Sequence, residues 1–351
     1  MKRRAFMLSC LLSAIADATP QYATVLRGLA LQFPRDHGAH ADFRTEWWYV
    51  TGALDLPRRA MASIGFQLTF FRVRTGFSEA LGSKIAASQI LFAHAAVTLP
   101  GDKLLHADRA ARANLGAGFS TTDCDVHIGA WQMQRNASDV FTLKAQDAQF
   151  AFDLTLTPTQ PKMLQGDAGF SQKGVRAEQA SYYVTWPQLQ VDGSIVLGGK
   201  SQRAQGKAWF DHEWSSEVLG EADVGWDWLG INLADGGALM AFRIRDAAGA
   251  TVFAHATLRD AAGRTQMWGG ADVQFKALRK WRSARGTEYP VETELRFGPH
   301  VIRTKPTIDD QELSTRRPAP VNYWEGLVQL EGTLIGRGYL ELTGYAGKIV
   351  L

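Results

Sequence analysis

Trp209-Phe210-Asp211-His212-Glu213-Trp214 is followed closely by Gly225-Trp226-Asp227-Trp228-Leu229-Gly230. These two segments set four tryptophans among three acids and a histidine, and their alternation decides the reading of the fold. Taken as strands of period two, Phe210, His212 and Trp214 point one way and Trp209, Asp211 and Glu213 the other. In the second segment Asp227 falls in line with Leu229, Ile231 and Leu233. An acid placed on such an apolar stripe has its pKa raised by desolvation unless a cation or a donor pairs with it.

The same β texture extends in both directions. From Thr45 onward, short runs rich in Val, Thr, Phe, Tyr and Trp alternate with Gly, Asp and Asn clusters about every ten residues, an all-β signature. About eight strands per half predict two antiparallel barrels or strongly bent sandwiches, each closing on itself to remove its edges. A barrel of that size can hold one apolar ligand in its mouth. The only helical candidates are Leu104 to Leu115 and a turn near Ile308 to Leu313. Gly198-Gly199-Lys200-Ser201 interrupts the pattern, which places a boundary there: an N-terminal domain over 19–200 and a C-terminal one over 201–351.

With 351 residues and 46% hydrophobic content, the chain exceeds the usual size of a single core and suits two domains. Lys2-Arg3-Arg4, the apolar run Ala5 to Ala16 and the small residues around Ala16-Asp17-Ala18 read as an export signal over 1–18. That run is too short to span a bilayer, so the expectation is a periplasmic or secreted protein with no transmembrane span once the leader is removed. The mature chain would carry 35 basic and 34 acidic residues. So even a balance argues against a nucleic-acid partner. Cys124 would be left without an intramolecular partner.

On the strand opening at Thr45, Glu46, Trp48, Val50 and Leu54 share a face, so a carboxylate again begins an apolar stripe, with Arg44 as its natural partner. His212, with Asp211, Glu213 and Asp227 near it in sequence, could be oriented by one carboxylate while another stays protonated, a pairing of acid and base roles. His94, between Phe92 and Ala96, fits a core histidine. His37 and His40, with Asp36 and Asp42, are the nearest approach to a ligand set. No spacing matches a zinc box, and neighbouring strand residues such as Asp211 and His212 face opposite ways, so no metal is expected. No phosphate loop, Gly-x-Ser-x-Gly elbow or cysteine-nucleophile context occurs, which leaves a serine triad without support.

The run Phe33 to Gly52, Asp211-His212-Glu213-Trp214-Ser215-Ser216, Gly225-Trp226-Asp227-Trp228, Tyr289-Pro290-Val291, Tyr323-Trp324-Glu325-Gly326 and Gly338 to Tyr345 together resemble the lipocalin-like carotenoid 1,2-hydratase (hydroxyneurosporene synthase) and AttH family, most of all its secreted AttH-like branch. The resemblance implies two consecutive lipocalin-like domains, a cavity at or near their junction and no cofactor. It implies active-site roles for a histidine and for a tryptophan two residues later, which fall on His212 and Trp214. A tyrosine and an acid farther on in the hydratases meet Phe242 and Arg243 here, a departure from their pattern. Members of the secreted branch are associated with export systems, so subunits of an envelope ABC transporter are expected partners besides an apolar lipid or isoprenoid.

The resulting expectation is an acid–base set of His212, Asp227, Asp211 and Glu46, with Trp214, Trp226, Trp228, Trp48, Arg44 and Phe242 contacting ligand. Hydrating an alkene needs a proton donor and something to stabilise a cation until water attacks. An acid such as Asp227, or protonated His212, could give the proton, and a tryptophan face would steady the cation by about 0.5–2 kcal/mol. The same wall would serve a carrier that catalyses nothing.

Overall fold

The computed structural model describes residues 21–56, 63–76 and 87–349, so the expected leader lies outside the described residues. The chain is almost wholly β. Two antiparallel sheets curl on themselves, one close to a barrel and the other closer to half of one. In the first sheet the central order is Ile64–Arg74, Thr45–Asp55, Lys200–Glu217, Ala180–Leu197 and Phe150–Thr157. In the second, Ala238–Asp246, Asp223–Leu233, Gly336–Leu342 and Val321–Gly332 lie side by side. Among the described residues no helix is long and apolar enough to cross a membrane.

Two expectations need correcting. Leu104–Arg112 is a strand, not a helix, paired along its length with Gln89–Thr98. Its Ala- and Leu-rich composition suits either state, and the sheet edge beside it supplies the hydrogen bonds that decide. The Gly198-Gly199 break is likewise no boundary between sheets. Both glycines have positive φ, 55° and 75°, and turn the chain through a tight hairpin between two strands of 18 residues each. The passage from one sheet to the other comes later, between Glu217 and Asp223.

That hairpin positions everything functional. Even-numbered residues of Thr45–Asp55 and Lys200–Glu217 enter the first barrel, where Trp48, Val50, Leu54, Ala208 and Phe210 join a continuous apolar core. Odd-numbered residues leave the barrel on its outer face, which alternation alone would give to water. Here the second sheet covers it: Tyr49, Ala53, Tyr183 and Trp209 pack against Trp228, Met240, Phe242, Leu327 and Tyr339. A second core lies inside the other sheet, around Leu229, Ile231, Leu233 and Trp324. The molecule therefore has three apolar layers, and the middle one joins the two sheets.

Candidate functional site

The strand alternation sends the charged residues of Lys200–Glu217 into two separate compartments. His212 lies inside the first barrel, fully buried, with Trp48 stacked on its ring at 4.9 Å and Trp214 at 4.7 Å. Its Nε2 is 2.9 Å from Glu46 Oε1. Glu46 also accepts from His40 Nδ1 at 2.8 Å, from the His40 backbone N–H at 2.9 Å and from Arg72 Nε at 2.8 Å. Burial opposes the charge on Glu46, but Arg72, His40 and the His212 hydrogen bond outweigh it and hold the carboxyl well below its ordinary range. Burial lowers His212, and its contact with Glu46 only partly offsets this. The expected partner, Arg44, is exposed at the strand entrance, while Arg72, directly opposite Glu46 on the neighbouring strand, makes the ion pair.

Among the described residues, His40, Glu46 and His212 each bring a ligand atom to within 4.8 Å of the others. Both histidines already spend a ring nitrogen on Glu46, and the Arg72 guanidinium occupies its second oxygen. A divalent cation here would face a fixed positive charge, so this donor set fits a hydrogen-bonded network and not a metal centre.

Asp227 is also saturated. It accepts from Arg243 Nε at 2.7 Å, Arg245 Nε at 2.8 Å and Tyr345 Oη at 3.0 Å, on the side of the second core. The expectation of a desolvated acid on an apolar stripe fails because the adjacent strand sets Arg243 opposite Asp227 and places Arg245 within reach.

Between the sheets lies a different environment. A cavity whose empty space, counted out to its open mouth, is ≈ 700 Å³ is walled by Trp47, Tyr49, Phe71, Trp226, Trp228 and Phe242. Asp211, Glu213, Glu325, Glu341, Tyr183 and Lys173 supply its polar lining. Asp211 accepts from Tyr183 Oη at 2.6 Å, Thr185 Oγ1 at 2.7 Å and Trp209 Nε1 at 2.8 Å. Burial nevertheless pushes it up to about 7. Glu213 is neutralised by Lys173 at 2.8 Å, whose ammonium lies 4.1 Å from the Phe242 ring centre.

Glu325 and Glu341 stand opposite each other on adjacent strands. Glu341 accepts from Trp226 Nε1 at 3.0 Å, is partly exposed, and is pushed up to about 7 by burial. Glu325 is held well above the ordinary carboxyl range by burial and by the charge of Glu341. Like charges face to face in an apolar setting cannot both ionise at low cost, so at least one of the pair stays neutral near neutral pH.

Of the ten residues expected to act, Asp211, Trp226, Trp228 and Phe242 meet at this cavity. His212, Glu46 and Trp48 lie inside the first barrel, Trp214 opens toward a groove under the N-terminal segment, Asp227 faces the second core, and Arg44 is at the surface. Sequence reading missed Glu325, Glu341, Lys173, Tyr49 and Tyr183 as site residues. A signal for the first two existed: each interrupts an apolar strand, at Trp324-Glu325-Gly326 and Leu340-Glu341-Leu342.

A family model described as AttH-like matches residues 24–345. The chain belongs to the AttH-like family. This AttH-like chain is 44% identical to a candidate AttH from Nitrosomonas europaea, with a TM-score of 0.85 over 92% of this chain and 99% of that one. Kievitone hydratase from Nectria haematococca shares the fold at 16% identity, with a TM-score of 0.68 over 94% of this chain and 97% of that one. CghA, solved with Sch210972, is similar at 14% identity and a TM-score of 0.54, over 94% and 98% of the two chains. No curated protein matches the chain. The all-β, two-sheet architecture is thus a lipocalin-like double-domain fold.

Proposed function

We propose that the cavity between the sheets binds an extended apolar molecule of the lipid or isoprenoid class and adds water across one of its C=C bonds without a cofactor. The observation that supports this reading is the set of buried carboxyl groups with raised pKa, Asp211, Glu325 and Glu341, set in aromatic walls. Near neutral pH Asp211 and Glu341, each pushed up to about 7, are divided between acid and base, the condition for giving a proton to an alkene carbon and taking one from water. Trp226, Trp228 and Tyr49 offer ring faces to charge developing on carbon. Glu341 is the most exposed of the carboxyl groups lining the cavity and would be the one that meets water. The basic, apolar start of the sequence supports a site of action outside the cytoplasm.

Incubating the purified protein with an isoprenoid lipid extract in ¹⁸O-labelled water tests this. The expected result is product carrying one added labelled water, lost in Glu341→Gln and retained in folded His212→Ala. No labelled product from any fraction would sink the catalytic half of the proposal. A non-catalytic carrier, working with an envelope transport system, is supported by one observation. Where hydratases carry a tyrosine and an acid, this chain has Phe242 on the cavity wall and Arg243 bound to Asp227. Lipid that copurifies unchanged would favour it.

A further inference from the structure

Inside the first barrel Glu46 is matched by Arg72, and beside the second core Asp227 is matched by Arg243 and Arg245. The buried Glu294 and Glu312 likewise have arginine partners. Between the sheets this matching stops short. Four carboxyls line the cavity, Asp211, Glu213, Glu325 and Glu341, with one ammonium, that of Lys173. Lys173 is taken up by Glu213 at 2.8 Å. The partners of the other three are neutral donors: Tyr183, Thr185 and Trp209 on Asp211, Tyr49, Tyr323 and Gln67 on Glu325, and Trp226 on Glu341. Buried acids generally come with a counter-charge, and among the described residues the chain supplies none for these three.

The walls around these carboxyls are of the kind that draws an organic cation. Lys173 shows the mode: its buried ammonium lies 4.1 Å from the centre of the Phe242 ring and 4.6 Å from that of Tyr183 while it pairs with Glu213. Ring faces carry the negative end of the aromatic quadrupole, so a cation between rings and a carboxylate is held from both sides. Glu325 and Glu341, opposite each other on adjacent strands, make a second place of this kind, with Tyr49 bonded to one and Trp226 to the other. Here the carboxyls and rings belong to the chain and the cation does not. A pair of facing acids that shares one proton carries a single negative charge, which one monocation matches. Among the described residues these carboxyls form no metal-ligating set, so the charge they suit is that of an organic cation.

We propose that the cavity takes an apolar molecule bearing one positive charge, an amine or a quaternary ammonium, seated at Glu325 and Glu341 among the rings of Tyr49 and Trp226. This rests on the reading of the cavity as the ligand site and narrows its substrate class. The apolar body lies along the remaining wall, on Trp47, Phe71 and Trp228. Water is scarce between the sheets, so the attraction between the ligand cation and the carboxyl pair is screened less than it would be at the surface. An anionic head group would instead face four carboxyls, which disfavours fatty acids and phosphate esters.

Titrating the full chain with N-methylstyrylpyridinium, an organic cation, and with trans-stilbene, its near-isosteric hydrocarbon, by tryptophan fluorescence tests the seat. The wild type should bind the cation about tenfold more tightly. Glu341→Gln keeps the shape and removes the charge, so it should cut that preference to about threefold or less while leaving stilbene affinity unchanged. Lys173→Met should move it the other way and raise cation affinity, because it frees Glu213; a purely structural role would weaken both probes alike in both variants. Equal affinity for the two probes in the wild type, or tighter stilbene, would overturn the cation seat and leave the apolar-binding reading standing. If neither probe bound, both would fall. A stilbene carboxylate completes the series without any variant. Binding weaker than that of stilbene supports the seat, and binding as tight as that of the cation overturns it.

Discussion

The two faces of strand Lys200–Glu217 carry similar residues and do opposite things. On the inner face, His212 meets a carboxylate that is fully satisfied by two histidines, a backbone amide and an arginine. On the outer face, Asp211 and Glu213 border a cavity in which three carboxyls, Asp211, Glu325 and Glu341, have raised pKa. The contrast teaches that an acid beside a tryptophan is not itself a sign of chemistry. What separates a structural network from a reactive surface is whether the charge has been matched.

That contrast can be broken by substitution. Arg72→Met would leave Glu46 as an unmatched buried charge and should cost about 3–5 kcal/mol in chemical denaturation, the largest effect expected. His212→Ala should lower stability by about 1–3 kcal/mol, since it removes a hydrogen bond to a charged group and three ring contacts. It should change stilbene affinity by less than about twofold, because it lies outside the cavity. A larger loss of affinity would merge the two compartments into one site.

The faces should also differ in their response to pH. Asp211 and Glu341 keep a proton up to about pH 7 in the folded protein but release it near 3.8 and 4.5 when unfolded. The folded state therefore binds more protons between those limits, and stability falls as pH rises through that window. Glu46 is shifted down, so its contribution is present above pH 4.5 and is lost on acidification. Glu341→Gln should flatten the fall between pH 5 and 8 by about 1 kcal/mol, with the partial exposure of this group already discounted. Melting curves at a series of pH values would check this, and a steeper slope in the variant would contradict it. Smallest of all, Arg44→Ala should change stability by less than about 0.5 kcal/mol, unlike the same change at Arg72.

Much of this was legible in the sequence because strand alternation is local. The period of two separated Phe210, His212 and Trp214 from Trp209, Asp211 and Glu213, and it set Asp227 beside Leu229, as the structure has them. What was not legible depended on partners brought in by pairing. Arg72 reaches Glu46 only through the register of two strands, and Arg243 reaches Asp227 in the same way. Gly198-Gly199 reads alike as a domain break or a hairpin turn, and only the continued pairing on both sides tells them apart. The burial of an outer barrel face, which turns Asp211 and Glu325 into cavity groups, requires knowing that a second sheet covers it.

The placement of the long hairpin also governs how the chain must fold. Glu46 and His212 meet although they are 166 positions apart, because Thr45–Asp55 takes Lys200–Glu217 as its neighbour. The ladders through Ile64–Arg74 and Gln89–Thr98 can form early from nearby segments. The first barrel cannot close until Lys200–Glu217 has been synthesised and docked, so its assembly is a late, long-range step, slow in the way that contacts between distant segments make slow. Until then the strand bearing Glu46 and Trp48 presents an open edge, and a chaperone that shields unpaired strands would act in that interval.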